Sequence, residues 1–548
     1  MAALDGVIPE RGHRLLPAVS ALLGVSAFPP FHFLVPSFVA LVPLAIWVAD
    51  QNDELDASAS RRVFRGGVWF GVLYFGLLLY WIPQALANFT WWAVPAYLTV
   101  VTVLALCAGC FTWALRRLTH HGGVPLWLAL PLTWTALEWV RAHAPGGLAF
   151  PWLGLGTSLT GYPELVGAAE LVGARGITFW LALLNGLIAE GIRVARSRDG
   201  ARMAACWAMA FTLVVAVPAA WGYWRARTLP VRAVGEVAVV QPNIAAQIRL
   251  DGSRSNDSTV ASLMRLLPRG DGFSPDLVVW PEMTFLGPID SDDTLRERVL
   301  EVAGQWAAPV VFGGIGETVT TEGGRIPLNS AFLAGRDGRL TDFRYDKHRL
   351  VPYVEGLPFR PGAWMEGGAE GASVARGASV VGDAVVGSYG RGVDWPLGTM
   401  GMARFGILIC YESIYASHAR RFRLLGADFL LNLTNDGWFG GEPWYTRTSA
   451  LWQHPAHLVM RAIEQRVGVA RAANTGFSLF VDPIGRVYGR TELSEAVVST
   501  ETIYTSDVLT LYTRTGDVVG WTALLLTLGL LVVPVAWPRL LDFGPRPA

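Results

Sequence analysis

Phe405-Gly406-Ile407-Leu408-Ile409-Cys410-Tyr411-Glu412-Ser413 is an apolar run that ends at a thiol and turns polar at Glu412. The pattern predicts a strand over 405–409 and a helix opening just after Cys410. A thiol at such a corner lies at the positive end of the helix, which lowers its pKa and favours the nucleophilic thiolate. Working outward, short apolar runs recur at 236–240, 277–280, 310–313, 331–334, 429–433, 467–471 and 478–481. Helical patterns near 292–306, 413–424 and 449–466 alternate with them. Alternation of this kind predicts an α/β layered domain over 231–510, its sheets covered by helices. The Gly-, Ala-, Ser- and Val-rich stretch 367–398 reads as a long surface loop, and no glycine-rich phosphate loop occurs between a strand and a helix.

Two further residues in this segment carry chemical weight. Lys347 is the only lysine in the chain; every other basic residue of the 44 is arginine. Retaining one lysine against that bias points to a site that needs a compact ammonium, such as a donor to a developing oxyanion. Glu282 follows Trp280-Pro281 directly at a strand end, where a carboxylate near a thiol can serve as general base and later as acid. Cys410 is the only cysteine between 231 and 510, so no disulfide forms within that segment. Cys107 and Cys110, in an apolar run, read as packing residues. His454 and His457 share a predicted helix face but have no further ligands, so no metal is expected. Arg461, Glu464 and Arg466 on the same helix read as a salt-bridged surface.

The flanks differ in kind. Of 548 residues, 52% are hydrophobic and 16% charged, with a mean hydropathy of +0.37. Soluble domains carry about 25% charge, so part of this chain is built for lipid. Balanced charge, 44 basic against 44 acidic, argues against a nucleic-acid binder. Runs near the roughly 20 residues needed to cross a bilayer fall at 14–29, 32–49, 67–86, 91–115, 124–140, 176–192, 203–223 and 518–538. Thirteen arginines, from Arg11 and Arg14 to Arg539 and Arg546, fall on one set of short-loop ends, and two, Arg141 and Arg175, on the other. That bias predicts both termini in the cytoplasm and the 231–510 segment outside. The expected domains are therefore 1–230 with seven spans, 231–510 as an extracytoplasmic domain, and 511–548 as an eighth span and tail.

Glu282, Lys347 and Cys410, in that order and within Trp280-Pro281-Glu282, Asp346-Lys347 and Cys410-Tyr411-Glu412, resemble the Glu-Lys-Cys triad of the nitrilase, or carbon–nitrogen hydrolase, superfamily. Glu355 resembles its second glutamate, and the segments 435–440 and 471–476 resemble further family segments. Joined to eight spans, this is similar to the apolipoprotein N-acyltransferases, the membrane-embedded branch. Pro151-Trp152-Leu153, Asn185, Gln241-Pro242-Asn243-Ile244 and the stretch 512–517 add support. Val354 departs from the glycine expected before Glu355.

The resemblance implies a nitrilase-like α/β sandwich beside a polytopic helical domain in the bacterial inner membrane. It also implies acyl transfer from a phospholipid, through a Cys410 thioester, to the diacylglyceryl-cysteine amine of an apolipoprotein. Glu282 would be the base, Lys347 and the Tyr411 N–H the oxyanion donors, and Glu355 and Glu412 the groups orienting Lys347 and the amine. Asn435, Trp438 and Trp152 would touch substrate; of Trp81, Trp91, Trp92 and Trp152, some would line a lipid entry and half or more would be plain interfacial belt residues. No cofactor, metal or nucleic acid is implied, and a monomer is expected. Two other readings stand beside this one. A membrane-anchored amidase or nitrilase would use the same triad on a small C–N substrate. A transporter or lipid binder with an inert outer domain would place ionisable residues inside the spans, where only Glu138, Arg141 and Glu190 are found.

Overall fold

The computed structural model describes residues 11–536 except 52–56, 88, 90, 146–147, 196–199, 246–251, 269–272, 320–322, 353, 357–379, 382–383 and 386–388. Among the described residues, nine α-helices precede the first strand: α1 (Arg11–Ser26), α2 (Leu34–Val39), α3 (Val42–Asp50), α4 (Ala57–Leu78), α5 (Ile82–Ala87), α6 (Ala93–Arg116), α7 (Leu126–Ala142), α8 (Ala169–Ala195) and α9 (Gly200–Thr228). Each apolar run read from the sequence falls largely on helical residues where it is described, but the 32–49 run is divided between α2 and α3, with proline at the start of α3, and the 67–86 run between α4 and α5. Among the described residues, three helical stretches are long and apolar enough to cross a membrane: Ala93–His121, Ala169–Ala195 and Cys206–Thr228. The others are shorter or carry charge, as α4 does with Arg61, Arg62 and Arg65. Close approach of α4 to α6 depends on glycine: a Cβ on Gly71 would meet Ala105 Cα at 2.6 Å. Small residues that let helix backbones approach are the usual basis of packing in lipid.

The strands are β1 (Arg232–Gln241), β2 (Leu277–Val279), β3 (Val310–Val319), β4 (Arg325–Ala334), β5 (Leu340–Asp346), β6 (Val380–Val381), β7 (Ala384–Val385), β8 (Gly398–Met400), β9 (Ala403–Ile409), β10 (Phe429–Thr434), β11 (Gly468–Ala473), β12 (Leu479–Val481), β13 (Val487–Tyr488) and β14 (Val497–Thr505). They form two six-stranded sheets, ordered β14-β1-β2-β3-β4-β5 and β13-β12-β11-β10-β9-β8, with β6 and β7 a separate ribbon. Strand alternation explains the layering. Val237, Val239, Leu277 and Val279 pack in one core with Ile407, Leu431 and Val469 of the other sheet. Their neighbours Ala238, Val240 and Val278 face a second core with Leu263, Val299 and Val302. These last lie on α10 (Gly252–Leu266) and α11 (Asp293–Gly304), while α12 (Ala416–Leu425) and α13 (Ala450–Gln465) pack on the second sheet's side. The predicted layered α/β domain is thus a helix–sheet–sheet–helix sandwich. After a short α14 (Leu511–Thr515), α15 (Val518–Ala536) returns to the helical region against α7 and α8.

One expectation is overturned at the seam. Arg461, Glu464 and Arg466 are not a surface: they are 3%, 0% and 1% exposed. Glu464 binds Arg461 and accepts the Ala174 N–H at 2.9 Å, and Arg466 binds Glu170 of α8 at 2.9 Å. Helix α8 is interrupted at Gly173, whose φ of 68° suits glycine and whose missing Cβ leaves room for Tyr512. The loop expectation for 367–398 lies outside the described residues over 367–379. Its last part runs beside the strands, with Gly392 N–H donating to Lys347 O at 2.9 Å. The tail 537–548, with Arg539 and Arg546, also lies outside the described residues.

Candidate active site

Glu282, Lys347 and Cys410 come from different strand ends and line one cavity of about 820 Å³. Lys347 follows β5, is 1% exposed, and donates to Glu282 Oε1 at 3.0 Å and Glu355 Oε1 at 2.9 Å. Asn329, on β4, was not foreseen: its Nδ2 donates to the same two oxygens at 2.8 Å each. An amide inside the apolar run Leu328–Ala334 was the signal available. The other oxygen of Glu282 accepts the Asn435 N–H at 3.0 Å. Burial pulls the Lys347 ammonium down, but Glu282, Glu355 and Cys410 outweigh it and hold its pKa well above the ordinary lysine value.

Cys410 ends β9 and opens a single 3₁₀ turn, Cys410–Ile414, at φ 48°. A non-glycine residue held there is strained and must be fixed by its surroundings. Its carbonyl oxygen takes bonds from Ser413 Oγ at 2.9 Å and His454 Nε2 at 3.1 Å. The far ring nitrogen of His454 meets Asp436 Oδ1 at 3.0 Å, and Arg471 binds the other Asp436 oxygen. His454, set aside as a metal ligand, instead braces the Cys410 backbone. The thiol itself departs from expectation: burial and then the Glu282 charge push its pKa up, against the pull of Lys347. One 3₁₀ turn is too short to supply the dipole a full helix would.

A family description of carbon–nitrogen hydrolases matches residues 236–510, half of the chain. The description of the apolipoprotein N-acyltransferase N-terminal domain matches residues 20–187. An apolipoprotein N-acyltransferase of Geobacter metallireducens is 30% identical over 94% of this chain and 93% of its own length. The chain belongs to the apolipoprotein N-acyltransferase family. A second apolipoprotein N-acyltransferase, from Chlorobaculum tepidum, is 27% identical over 92% of this chain and 93% of its own. A solved amidase of Nesterenkonia sp. AN1 overlays 51% of the chain and 96% of its own, at 18% identity and a TM-score of 0.34.

In this member of the apolipoprotein N-acyltransferases, both parts of the chain build the cavity. Ile82, Leu86, Val100 and Leu104 line it from the α5 and α6 side, facing the triad. Trp152 is 2% exposed and packs tilted against Trp81 at 4.8 Å between centroids. Both indole N–H groups donate to Gln453 Oε1, at 3.0 and 3.1 Å, so an unforeseen glutamine of α13 sets the cavity wall. Trp438 lines the cavity against Phe89, at 4.5 Å. Asn435 also lines it, although its side-chain oxygen is taken by Asn474 Nδ2 at 3.1 Å and Gly437 N at 3.3 Å. Trp91 and Trp92 are exposed and lie outside the cavity lining.

Glu412 also takes a different place. It is fully buried, and its oxygens accept from Ile409 N, Tyr345 OH, His348 N and Arg349 N at 2.7–3.1 Å. It therefore ties the Cys410 strand end to the segment after Lys347 and has no free oxygen for an amine. Tyr411 lines the cavity and reaches Ala149 O at 3.3 Å. Glu138 accepts from Leu155 N at 2.6 Å and Thr178 Oγ1 at 2.8 Å, and Glu190 pairs with Arg193. These contacts fix loops and helices rather than form a conduction path.

Proposed function

We propose that the chain moves a fatty acyl group from a membrane phospholipid to the N-terminal diacylglyceryl-cysteine amine of an apolipoprotein, the last step of lipoprotein maturation. The observation that carries this reading is the cavity: an apolar chamber walled by helices α5 and α6 opens on the one thiol with a carboxylate and an ammonium beside it. A small amide needs no such chamber. Drawing an acyl chain out of lipid would cost about 0.8 kcal/mol per CH₂, and an apolar wall offsets that.

In the first half-reaction, Cys410 sulfur attacks the ester carbonyl carbon while its proton passes to Glu282. Because the thiol rests protonated, removal of the proton accompanies the attack. Lys347 and the Tyr411 N–H donate to the oxyanion. The carbon–oxygen bond breaks, and Glu282 returns the proton to the departing lysophospholipid oxygen. In the second half, the amine attacks the thioester, Glu282 takes one amine proton, the carbon–sulfur bond breaks, and the proton returns to sulfur. Glu355 and Asn329 hold Lys347 and Glu282 in register, and Trp152, Trp438 and Asn435 shape the substrate wall.

The layout of 1–230 as seven spans, 231–510 outside, and 511–548 as an eighth span and cytoplasmic tail belongs to this proposal. The arginine bias and the largely helical placement of the apolar runs support it. So does a monomer, since both parts of the cavity come from one chain.

The test is intact-protein mass spectrometry after incubation with a phospholipid of defined acyl chain. We expect a mass gain equal to that acyl group, absent in Cys410→Ala and discharged by a diacylated lipopeptide. No adduct on folded protein, with turnover of a small amide instead, would replace this reading with the amidase.

A further inference from the structure

A second cavity, of about 490 Å³, shares Arg141 with the catalytic cavity but none of Glu282, Lys347 or Cys410. It lies where α7 ends and α15 begins, and α8, α12 and α13 complete its walls. Its lining is basic: Arg141, Arg175, Arg349, Arg420 and Arg461 stand against Glu138, Glu464 and Asp517. The three carboxylates are already engaged. Glu138 accepts from Trp134 Nε1, Leu155 N and Thr178 Oγ1, Glu464 is held by Arg461 and Ala174 N, and Asp517 by Arg175 at 2.7 Å.

Donors, by contrast, are left over. Arg141 Nε, Arg175 Nε and His457 Nε2 are buried without a hydrogen-bond partner among the described residues. Arg141 is 9% exposed; it donates to Leu153 O at 3.3 Å and has no ion-pair partner among the described residues. Buried donors left unpaired cost about 1–3 kcal/mol each, so two guanidinium N–H groups around one polar chamber, joined by His457 in its Nε2–H tautomer, point to an anionic occupant that accepts from them. Burial, with Arg461 beside it, holds the His457 pKa well below the ordinary histidine value, leaving a neutral ring.

The rim says what carries the anion. Trp521 and Leu525 line the chamber from α15 and are 50% and 62% exposed on that apolar helix. Trp139 packs between Trp521 at 4.2 Å and His143 at 4.1 Å, the kind of aromatic cluster found at head-group depth. We propose that this chamber binds the phosphodiester of a membrane phospholipid whose chains lie along α15, as a lipid site separate from that of the acyl donor. Such a lipid would bridge α7, α8 and α15 to α12 and α13.

The test is native mass spectrometry of the full chain carrying Cys410→Ala, which cannot be acylated, titrated with phosphatidylglycerol. One tightly held phosphatidylglycerol per chain is expected, weakened at least about tenfold by Arg175→Gln and restored by Arg175→Lys. His457→Leu, which leaves the Arg175–Asp517 pair intact, should weaken binding as well. Unchanged affinity in both loss variants overturns the site. Displacement of the lipid by millimolar inorganic phosphate would make the occupant a small anion and overturn the lipid assignment. Unmutated protein acylated on Cys410 should still hold the phosphatidylglycerol; loss of it on acylation would make the chamber part of the donor site.

Discussion

With burial and the Glu282 charge keeping the Cys410 proton on sulfur, alkylation by a small neutral electrophile should be slow at neutral pH and rise with pH. Glu282→Gln separates two effects. Removing the neighbouring charge lets the thiol ionise at lower pH, so alkylation at a given pH quickens. Loss of the base should cut acylation by phospholipid about 10²–10⁴-fold. A variant that acylates Cys410 from phospholipid as fast as the unmutated protein would sink the assignment of Glu282 as base. Glu412 yields a pH prediction. Burial raises its pKa to about 7, against the bonds it accepts, so between its ordinary value and 7 the folded state binds more protons than the unfolded one. Stability contributed there is lost as pH rises through that window, and Glu412→Gln should flatten the fall in melting temperature between pH 5 and 8. Lys347 and Cys410 were legible because each residue type is odd for its place, and Glu282, ordinary after a strand, through its Trp280-Pro281-Glu282 motif. Asn329 was not, because its value lies in bridging two carboxylates from separate loops. Glu412 was legible only as the polar residue after Cys410 and not in its role, since its partners, three backbone N–H groups and the Tyr345 hydroxyl, are brought near only by the fold.

At the scale of elements, α13 does more than cover a sheet. Gln453 accepts from Trp81 and Trp152, His454 holds the Cys410 carbonyl, and His457 faces the polar chamber. Gln453→Leu leaves two buried indole donors without an acceptor and should cost about 2 kcal/mol or more, read as a lower melting temperature together with slower acylation. His454→Phe keeps the ring's bulk against Trp152 but frees the strained Cys410 backbone. Acylation should fall there with a smaller change in melting temperature, and equal loss of both would mean that the histidine only packs. Strand runs such as 405–409 and 429–433 were legible because buried parallel strands are continuously apolar. β5 and β14 were missed: Leu340-Thr-Asp-Phe-Arg-Tyr-Asp346 and Val497–Thr505 lie at sheet edges, where half-exposed polar residues mask the pattern. The charges of α13 misled for the converse reason. They are buried because the helix is covered by membrane helices as well as by the sheet, which periodicity within one helix does not reveal.

Across the whole molecule, the catalytic domain and the helical part are joined by buried ion pairs rather than by a flexible tether. Glu170 of α8 holds both Arg225 and Arg466 at 2.9 Å. Breaking a buried pair from one side costs about 3–5 kcal/mol, so Glu170→Gln should lower the melting temperature and expose the seam to proteases. High salt should leave the unmutated protein's seam intact, since buried pairs are screened little. The division into a lipid-facing part and a sandwich was legible from hydropathy, whereas the seam was not, because its pairs join residues some 290 positions apart, as Arg466 and Glu170 are. The solitary lysine has a practical corollary. A lysine-specific endoprotease has one target bond in all 548 residues, between Lys347 and His348, and that side chain is sealed in the folded core. The protein thus carries its own unfolding reporter: cleavage into two fragments, read on a gel, would time the opening of the catalytic centre without any label.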